Sequence, residues 1–371
     1  MANPNPTLPP TNNTLQTNND SHQEIIYIGT RKSQLAIAQA EMIIAQLETV
    51  SPGPQYKMQV ISTMADENQV KTFLDFNSKS IWTEELEGLL VDGKVDVVVH
   101  CLKDMPTTLP SSCILSTIPL REDPRDVLVM KLHSPYNSLH QLPPGSIIGT
   151  SSIRRKAQIA HFYPHLKCVE IRGNLQTRLR KLDDVAAGDD KSSKQNYDCL
   201  ILAAAGLKRI GLEGRISEYL SSQNNTTTNT NSTNSVKENK ILHAPGQGAL
   251  GLEIRHSDPR ILKLLSPLNH FPTLLTCSAE RSFLKELNGG CSAPVAVESC
   301  WDEETGMLEL RGQVLSVVDG DDEEERKREK EIVEDRICEV VGTVEEAEGV
   351  GEKLARRLIG LGADRILGRV G

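Results

Sequence analysis

The chain has 371 residues, 38% hydrophobic, 25% charged and 4% aromatic, with a formal net charge of −9. It is long for one core, so two or three domains are expected, and its polarity is that of a globular protein with some polar padding. The negative balance argues against a general polyanion binder, and the scarcity of aromatics against a stacking platform for single-stranded nucleic acid; an anion site here must be a local gathering of arginines.

Eight cysteines are present and none forms a C-x-x-C pair. That speaks against zinc and redox motifs and for reduced, mostly buried thiols, which points to the cytoplasm. No apolar run is long enough to span a membrane, so no membrane partner is expected. Residues 1–23 lack both a signal-peptide apolar stretch and the Arg-rich character of a transit peptide, and read as a disordered tail.

Glu24–Thr30 reads as a strand. Arg31 and Lys32 follow, and Ser33 is placed to cap a helix over Gln34–Leu47; free N–H groups, the helix dipole and Arg31 make an anion site there, against the plainer reading of a capped helix with a solvated Arg. Tyr56–Thr63 is a second strand, Ala65–Lys79 a loop, and Ile81–Val91 a helix entered by Trp82.

The β-branched run Val95, Val97, Val98 and Val99 marks a buried strand that ends at His100. Pro106 biases Met105 away from helix and forces a turn. Lys103 and Asp104 are thereby held just past the C-terminal end of a buried strand, where open α/β sheets place ligand chemistry. A plain surface salt bridge is the competing reading of the pair.

Ile114–Ile118 is a further strand, and Arg121–Met130 a crossing into a second domain. There a pattern repeats: strand, basic loop, helix. Ser146–Gly149 leads to Thr150, Ser151, Ser152, Arg154 and Arg155. Lys167–Ile171 leads to Arg172 and a helix carrying Arg178. Tyr197–Ala205 leads to Gly206, Lys208 and Arg209. One such Arg is ordinarily a surface residue, whereas several at equivalent topological positions are better explained as one cationic cleft.

Ser221–Ser235 is a polar low-complexity insertion, expected to be disordered. His243–Leu250 is a glycine-punctuated turn before a strand over Leu250–Ile254. Its glycines suit close backbone approach, and Gln247 is a candidate ligand contact. Beyond Ser266 a small α+β domain is expected: a helix over Thr276–Leu287, strands Val295–Val297 and Met307–Val318, a solvated charge run Asp319–Glu331 and an amphipathic helix Glu345–Leu361. Cys291 lies on a Gly-Gly turn, either as an inert core thiol or as an exposed attachment point or nucleophile.

Seven segments, in order, carry a resemblance: GTRKSQLAIAQ, VVVHCLKDMPT, GTSSIRRKAQ, EIRGNLQTRLRKL, LAAAGLKRIG, HAPGQGALGLE and LNGGCSAPVAV. Over about Ile25 to Leu367 the chain resembles the porphobilinogen deaminase (hydroxymethylbilane synthase) family. The resemblance implies an α/β fold of two periplasmic-binding-protein-like lobes plus a small C-terminal α+β domain. Residues 24–119 with 241–262 would form the first lobe, 120–220 the second, 221–240 a disordered insertion and 266–371 the third domain. It implies a transferase of tetrapyrrole (haem) biosynthesis that joins four porphobilinogen molecules into a linear tetrapyrrole with loss of ammonia. The primer would be a dipyrromethane cofactor bound to Cys291 through a thioether.

By the same resemblance Arg31, Arg154, Arg155, Arg172, Arg178 and Arg209 match carboxylate-binding arginines, with Ser33, Thr150, Ser151 and Ser152 as neutral donors. Asp104 matches the catalytic aspartate, assisted by Lys103, and Lys79 and Trp82 match a lid. Cys101 departs from the pattern, standing where serine is usual. The expected protein is a monomer that binds porphobilinogen and no nucleic acid. The competing class is a two-lobed binding module for an anionic small molecule, which would need neither Asp104 nor an anchored thiol.

Overall fold

The computed structural model describes residues 23–62, 78–184, 196–221, 241–288, 293–317 and 331–368, with backbone only for 78–82. Three sheets organise them, ordered β2-β1-β3-β10-β4, β7-β6-β8-β5-β9 and β11-β12-β13.

The first sheet comprises β1 (Ile25–Arg31), β2 (Gln55–Ile61), β3 (Val97–Cys101), β4 (Cys113–Thr117) and β10 (Leu250–Arg255). β1 pairs in parallel with β2 and β3, while β10 runs antiparallel between β3 and β4. Helix α1 (Gln34–Val50) buries Gln39, Ala40, Ile43 and Leu47, a stripe at helical spacing, against Ile26, Ile28 and Val97. Helix α2 (Ser78–Val91) starts earlier than the Ile81 expected, so Lys79 falls in the helix; the rest of the expected loop lies outside the described residues.

The second sheet comprises β5 (Asp126–Met130), β6 (Ile147–Gly149), β7 (Lys167–Val169), β8 (Cys199–Ala203) and β9 (Glu218–Tyr219). β6 is parallel to β7 and β8, and β5 is antiparallel to β8. Helices α3 (Ile153–Phe162), α4 (Leu175–Asp183) and α5 (Ala204–Arg209) follow β6, β7 and β8. Two expectations change here. Asp126–Met130 is a wholly buried strand rather than part of a crossing. The strand expected to reach Ala205 stops at Ala203, because two alanines and Leu207 bury as the opening of α5.

The chain crosses between these lobes twice, before β5 and before β10. The crossings touch: Glu122 N–H donates to Gly248 O at 3.2 Å. Gly248 has φ +85°, and a Cβ there would lie 2.3 Å from Glu122 O, so only glycine lets the backbones meet. Because each sheet takes in an antiparallel strand next to a crossing, the lobes share their joint. The expected pair of α/β lobes is thus present.

After α6 (Pro259–Leu265), the small α+β domain packs α7 (Phe271–Glu286) and α8 (Val344–Gly360) on an antiparallel sheet of β11 (Val295–Trp301), β12 (Met307–Leu315) and β13 (Ile332–Val340); α9 (Ala363–Leu367) closes the chain. Helix α7 begins at Phe271 rather than Thr276, with His270 as its cap and Pro272 in its first turn, where a missing N–H costs nothing. β13 was not expected, although Val333 and Ile337 point inward from an alternating stretch. Thr343 and Glu346 form a reciprocal cap on α8.

This domain is fastened to the crossings by Glu280, fully buried on α7. Both its oxygens accept from Arg121, at 2.8 and 2.9 Å; it also accepts from Gly246 N–H at 2.7 Å and from Ser299 Oγ at 2.5 Å. Helices α7 and α8 approach so closely that a Cβ on Gly351 would lie 2.2 Å from Ala279 O, a backbone atom that cannot swing aside. Gly351→Ala is therefore expected to destabilise by about 2 kcal/mol, within the usual cost of overpacking. Urea unfolding with an unchanged midpoint would show that the helices separate freely.

Candidate functional site

The site is built on the end of β3. Leu102–Asp104 form a single 3₁₀ turn, and Met105 is extended before Pro106. Leu102 and Met105 are buried, and Leu102 N–H donates to Ala249 O at 3.0 Å. The turn is thus pinned from beneath, and Lys103 and Asp104 stand on a rigid base. Lys103 Nζ donates to Gln247 Oε1 at 3.3 Å. Burial lowers the Lys103 pKa, and the Asp104 charge works against that fall.

Cys101 Sγ accepts from Gln39 Nε2 at 3.1 Å. Burial, and then the Asp104 charge, push its thiol upward, so it is held neutral. Gln39 is buried on α1 and was not singled out from the sequence; a buried amide on an otherwise apolar helix face is the signal that marks it.

Two cations, Arg178 and Arg209, act on this turn, and a third lies on the strand beside β3. Arg31 ends β1. Arg178, on α4, donates Nε–H to Gly173 O at 2.7 Å; burial and the neighbouring Arg155 charge lower its pKa, while Asp104 raises it. Arg209 donates Nη2–H to Gly248 O at 2.6 Å, and burial lowers its pKa. Its buried Nε has no hydrogen-bond partner among the described residues. Arg209 is the last residue of α5, not a residue at a helix entrance as expected, because the helix begins at Ala204. The lobes also touch between helix starts, where Gln176 Nε2 donates to Gln34 Oε1 at 2.7 Å.

Arg154 and Arg155 depart from expectation. Both are buried, and both bind Asp126, the first residue of β5. Arg154 donates to Asp126 Oδ2 at 2.7 Å and to Leu242 O at 2.5 Å. Arg155 donates to both Asp126 oxygens, at 2.7 and 3.1 Å, and to Ile201 O at 2.8 Å. These bonds use two of the five N–H donors on Arg154, both from Nη1, and three on Arg155, so each guanidinium braces Asp126 and still carries N–H groups beyond those bonds. Gln247, also fully buried, donates to Asp126 Oδ1 at 2.8 Å and to Pro124 O at 2.7 Å, which leaves its oxygen for Lys103. Asp126 went unnoticed in the sequence; its signal is an acidic residue opening the apolar run Val127–Met130.

Of the hydroxyls expected as donors, Ser151 gives its proton to the backbone, while Ser33, Thr150 and Ser152 accept from backbone N–H groups and retain their O–H. Ser33 caps α1, accepting from Ala36 N–H at 3.2 Å, and Ser152 caps α3, accepting from Arg155 N–H at 3.4 Å. Thr150 Oγ1 accepts from Ser152 N–H at 3.2 Å, and Ser151 Oγ donates to Ile171 O at 2.6 Å. Arg172 is half-exposed and paired with Glu170 at 2.8 Å. Lys79 and Trp82 lie in the first turns of α2, where only the backbone is described, and Cys291 lies outside the described residues.

Two sequence profiles match the chain. "Porphobilinogen deaminase, dipyromethane cofactor binding domain" covers residues 26–263, and "Porphobilinogen deaminase, C-terminal domain" covers residues 274–360. The chain belongs to the porphobilinogen deaminase family. It is 42% identical to the porphobilinogen deaminase of Neurospora crassa, over 93% of this chain and 94% of that one. It is 40% identical to that of Saccharomyces cerevisiae over 94% and 97%, and 41% identical to that of Synechococcus elongatus over 93% and 95%. A solved periplasmic aliphatic sulphonate binding protein, SsuA from Escherichia coli, is similar at a TM-score of 0.35 and 12% identity over 71% of this chain and 75% of that one, too slight a likeness to carry weight.

The described residues suit the anionic cofactor that the porphobilinogen deaminase profile names. Arg178 and Arg209 are partly buried, which lowers their pKa values; each donates to a backbone carbonyl, and Arg209 Nε–H has no partner among the described residues. Buried cations with no matching anion are costly unless an anion arrives. Beneath them, Arg154 and Arg155 hold the Asp126 pKa far below the usual carboxylate value against the opposing effect of burial. A carboxylate whose pKa is depressed on folding adds stability above its ordinary pKa, and that stability is lost as pH falls through the folded value. Asp126→Asn should cost about 3–5 kcal/mol near neutral pH, with the deficit shrinking below about pH 4. Urea unfolding at several pH values checks this; a deficit independent of pH would show that the ion pairs are not its source.

Proposed function

We propose that this enzyme joins four porphobilinogen molecules head to tail onto a dipyrromethane held by a thioether at Cys291, releasing one ammonia per addition. Water then cleaves the bond between the chain and the primer to release hydroxymethylbilane, supplying its hydroxyl group. The observation that carries the reading is Asp104 on a pinned turn among Lys103, Arg178 and Arg209. The two-lobed binding-module alternative has no use for a carboxylate placed against cations meant to hold anions.

Porphobilinogen bears acetate and propionate groups, and Arg31, Arg178, Arg209 and Lys103 are the cations positioned to receive them. Each charge-assisted hydrogen bond contributes roughly 1.5–3 kcal/mol. Arg154 and Arg155, braced by Asp126, have further N–H groups for a carboxylate, and the Arg155 charge also bears on Lys103 and Arg178. The dipyrromethane, when bound, supplies the primer to which the units are joined.

In each addition the aminomethyl C–N bond breaks and its electron pair leaves with ammonia. A new C–C bond forms to the acceptor pyrrole, whose carbon then gives up a proton. Positive charge develops on the incoming pyrrole, and the Asp104 carboxylate stabilises it by accepting from the ring N–H. The same carboxylate relays the protons, to the departing amine and from the attacked carbon. Cys101 is too weak an acid to compete for them.

The same reading has the enzyme acting as a cytoplasmic monomer, with neither nucleic acid nor membrane as partner. Its domains are 24–119 with 241–262, 120–220 and 266–371, and Lys79 and Trp82 on α2 belong to a cover that limits water access. Asp104→Asn is expected to lower porphobilinogen turnover by about 10²–10⁴-fold with the fold intact. Near-normal turnover in that variant would remove Asp104 from the mechanism.

A further inference from the structure

Beneath α2, away from the cleft, lies a cluster of ionisable groups that the reaction does not use. Glu87 on α2 is 6% exposed and Glu253 on β10 is 0% exposed. Glu253 Oε2 is bound to His100 Nε2 on β3 at 2.8 Å. Glu87 Oε1 and Glu253 Oε1 are both buried, and neither has a hydrogen-bond donor among the described residues. Where α2 packs on β10 the two carboxyl groups are close enough for the Glu253 charge to act on Glu87.

Two carboxylate oxygens can bond only if one carries a proton. Without it, two like charges would sit side by side in a place that water does not reach. We infer that Glu87 and Glu253 share one proton, and that this proton is the pH-sensitive fastening of α2 to the sheet of the first lobe.

The surroundings fit a fastening that fails on deprotonation. The elements packed on α2 are β3, β4 and β10. The groups they present are His100, Cys113, Glu253 and Arg255, with Glu84 adding a second negative charge from α2 itself. Arg255 does not neutralise the pair, because it is bound to Asp96, Asp258 and the carbonyls of Leu90 and Val95. His100 serves Glu253. Arg255 therefore ties down the C-terminal end of α2 through Leu90 at any pH, and the carboxyl pair governs the helix ahead of it.

Burial first, then the Glu253 charge, raise the Glu87 pKa to about 7. A group whose pKa is raised on folding gives stability that is fully present below its ordinary pKa and is lost as pH rises through the folded value. The sensitive window is thus the approach to neutrality, opposite in sign to that of Asp126. The consequence is a helix, carrying Lys79 and Trp82 in its first turns, that loosens as the pH rises.

The test is hydrogen exchange on the whole enzyme, corrected for the intrinsic pH dependence of exchange. Amide protection in α2 is expected to fall about tenfold from about pH 6 to about pH 8 in the wild type, while α1 does not change. In Glu87→Gln, whose amide donates to Glu253 at every pH, protection of α2 should stay level. A level wild-type profile, or an equal fall in the variant, would overturn the inference. Should Glu87→Gln not fold, infrared difference spectra of the wild type decide: a protonated-carboxyl stretch lost over the same range supports the shared proton, and its absence throughout refutes it.

Discussion

Asp126 binds two guanidiniums and one amide with no access to water, and the candidate site takes its shape from that arrangement. A buried carboxylate is tolerable only where the surrounding charges and hydrogen bonds replace the water it has lost. Arg154 and Arg155 supply them from the start of α3, and Gln247 supplies one from the second crossing. The same Gln247 turns its oxygen to Lys103, so the carboxylate at the head of β5 indirectly positions the residue beside Asp104. Both lobes and one crossing meet in that chain of contacts.

A second buried carboxylate, Glu280, does for the third domain what Asp126 does for the second lobe. It grips Arg121 on the first crossing and the backbone of Gly246 on the second. The domain whose start of β11 lies just beyond Cys291 is thereby fixed to the same joint that carries Gln247. The protein is acidic overall, yet Arg121, Arg154 and Arg209 all bind groups on or beside the crossings. The arginines differ in their partners: Arg154 and Arg155 bind the Asp126 carboxylate, while Arg178 and Arg209 bind backbone carbonyls.

Much of the fold was legible because its signals are local. The β-branched run before His100 marks β3, and the break at Met105-Pro106 marks the turn that carries Asp104. Ser33 is a cap with a helical stripe behind it. What the sequence hid depends on pairing at a distance. Arg154 and Arg155 read simply as ligands because nothing local shows that Asp126, 28 and 29 positions away, braces them. Strand β5 was hidden by the charges that precede it, and β13 by the charge run before it. Arg209 moved to a helix end because two alanines after an apolar run suit strand and helix alike.

The central claim is a covalent primer at Cys291 in a cleft whose cations await carboxylates, and intact mass tests it most directly. The purified enzyme should be heavier than its sequence by two linked pyrrole units, and Cys291→Ala should lack that increment. A wild-type mass equal to the bare sequence, with no gain on adding porphobilinogen, would contradict the account and leave a two-lobed anion-binding protein in its place.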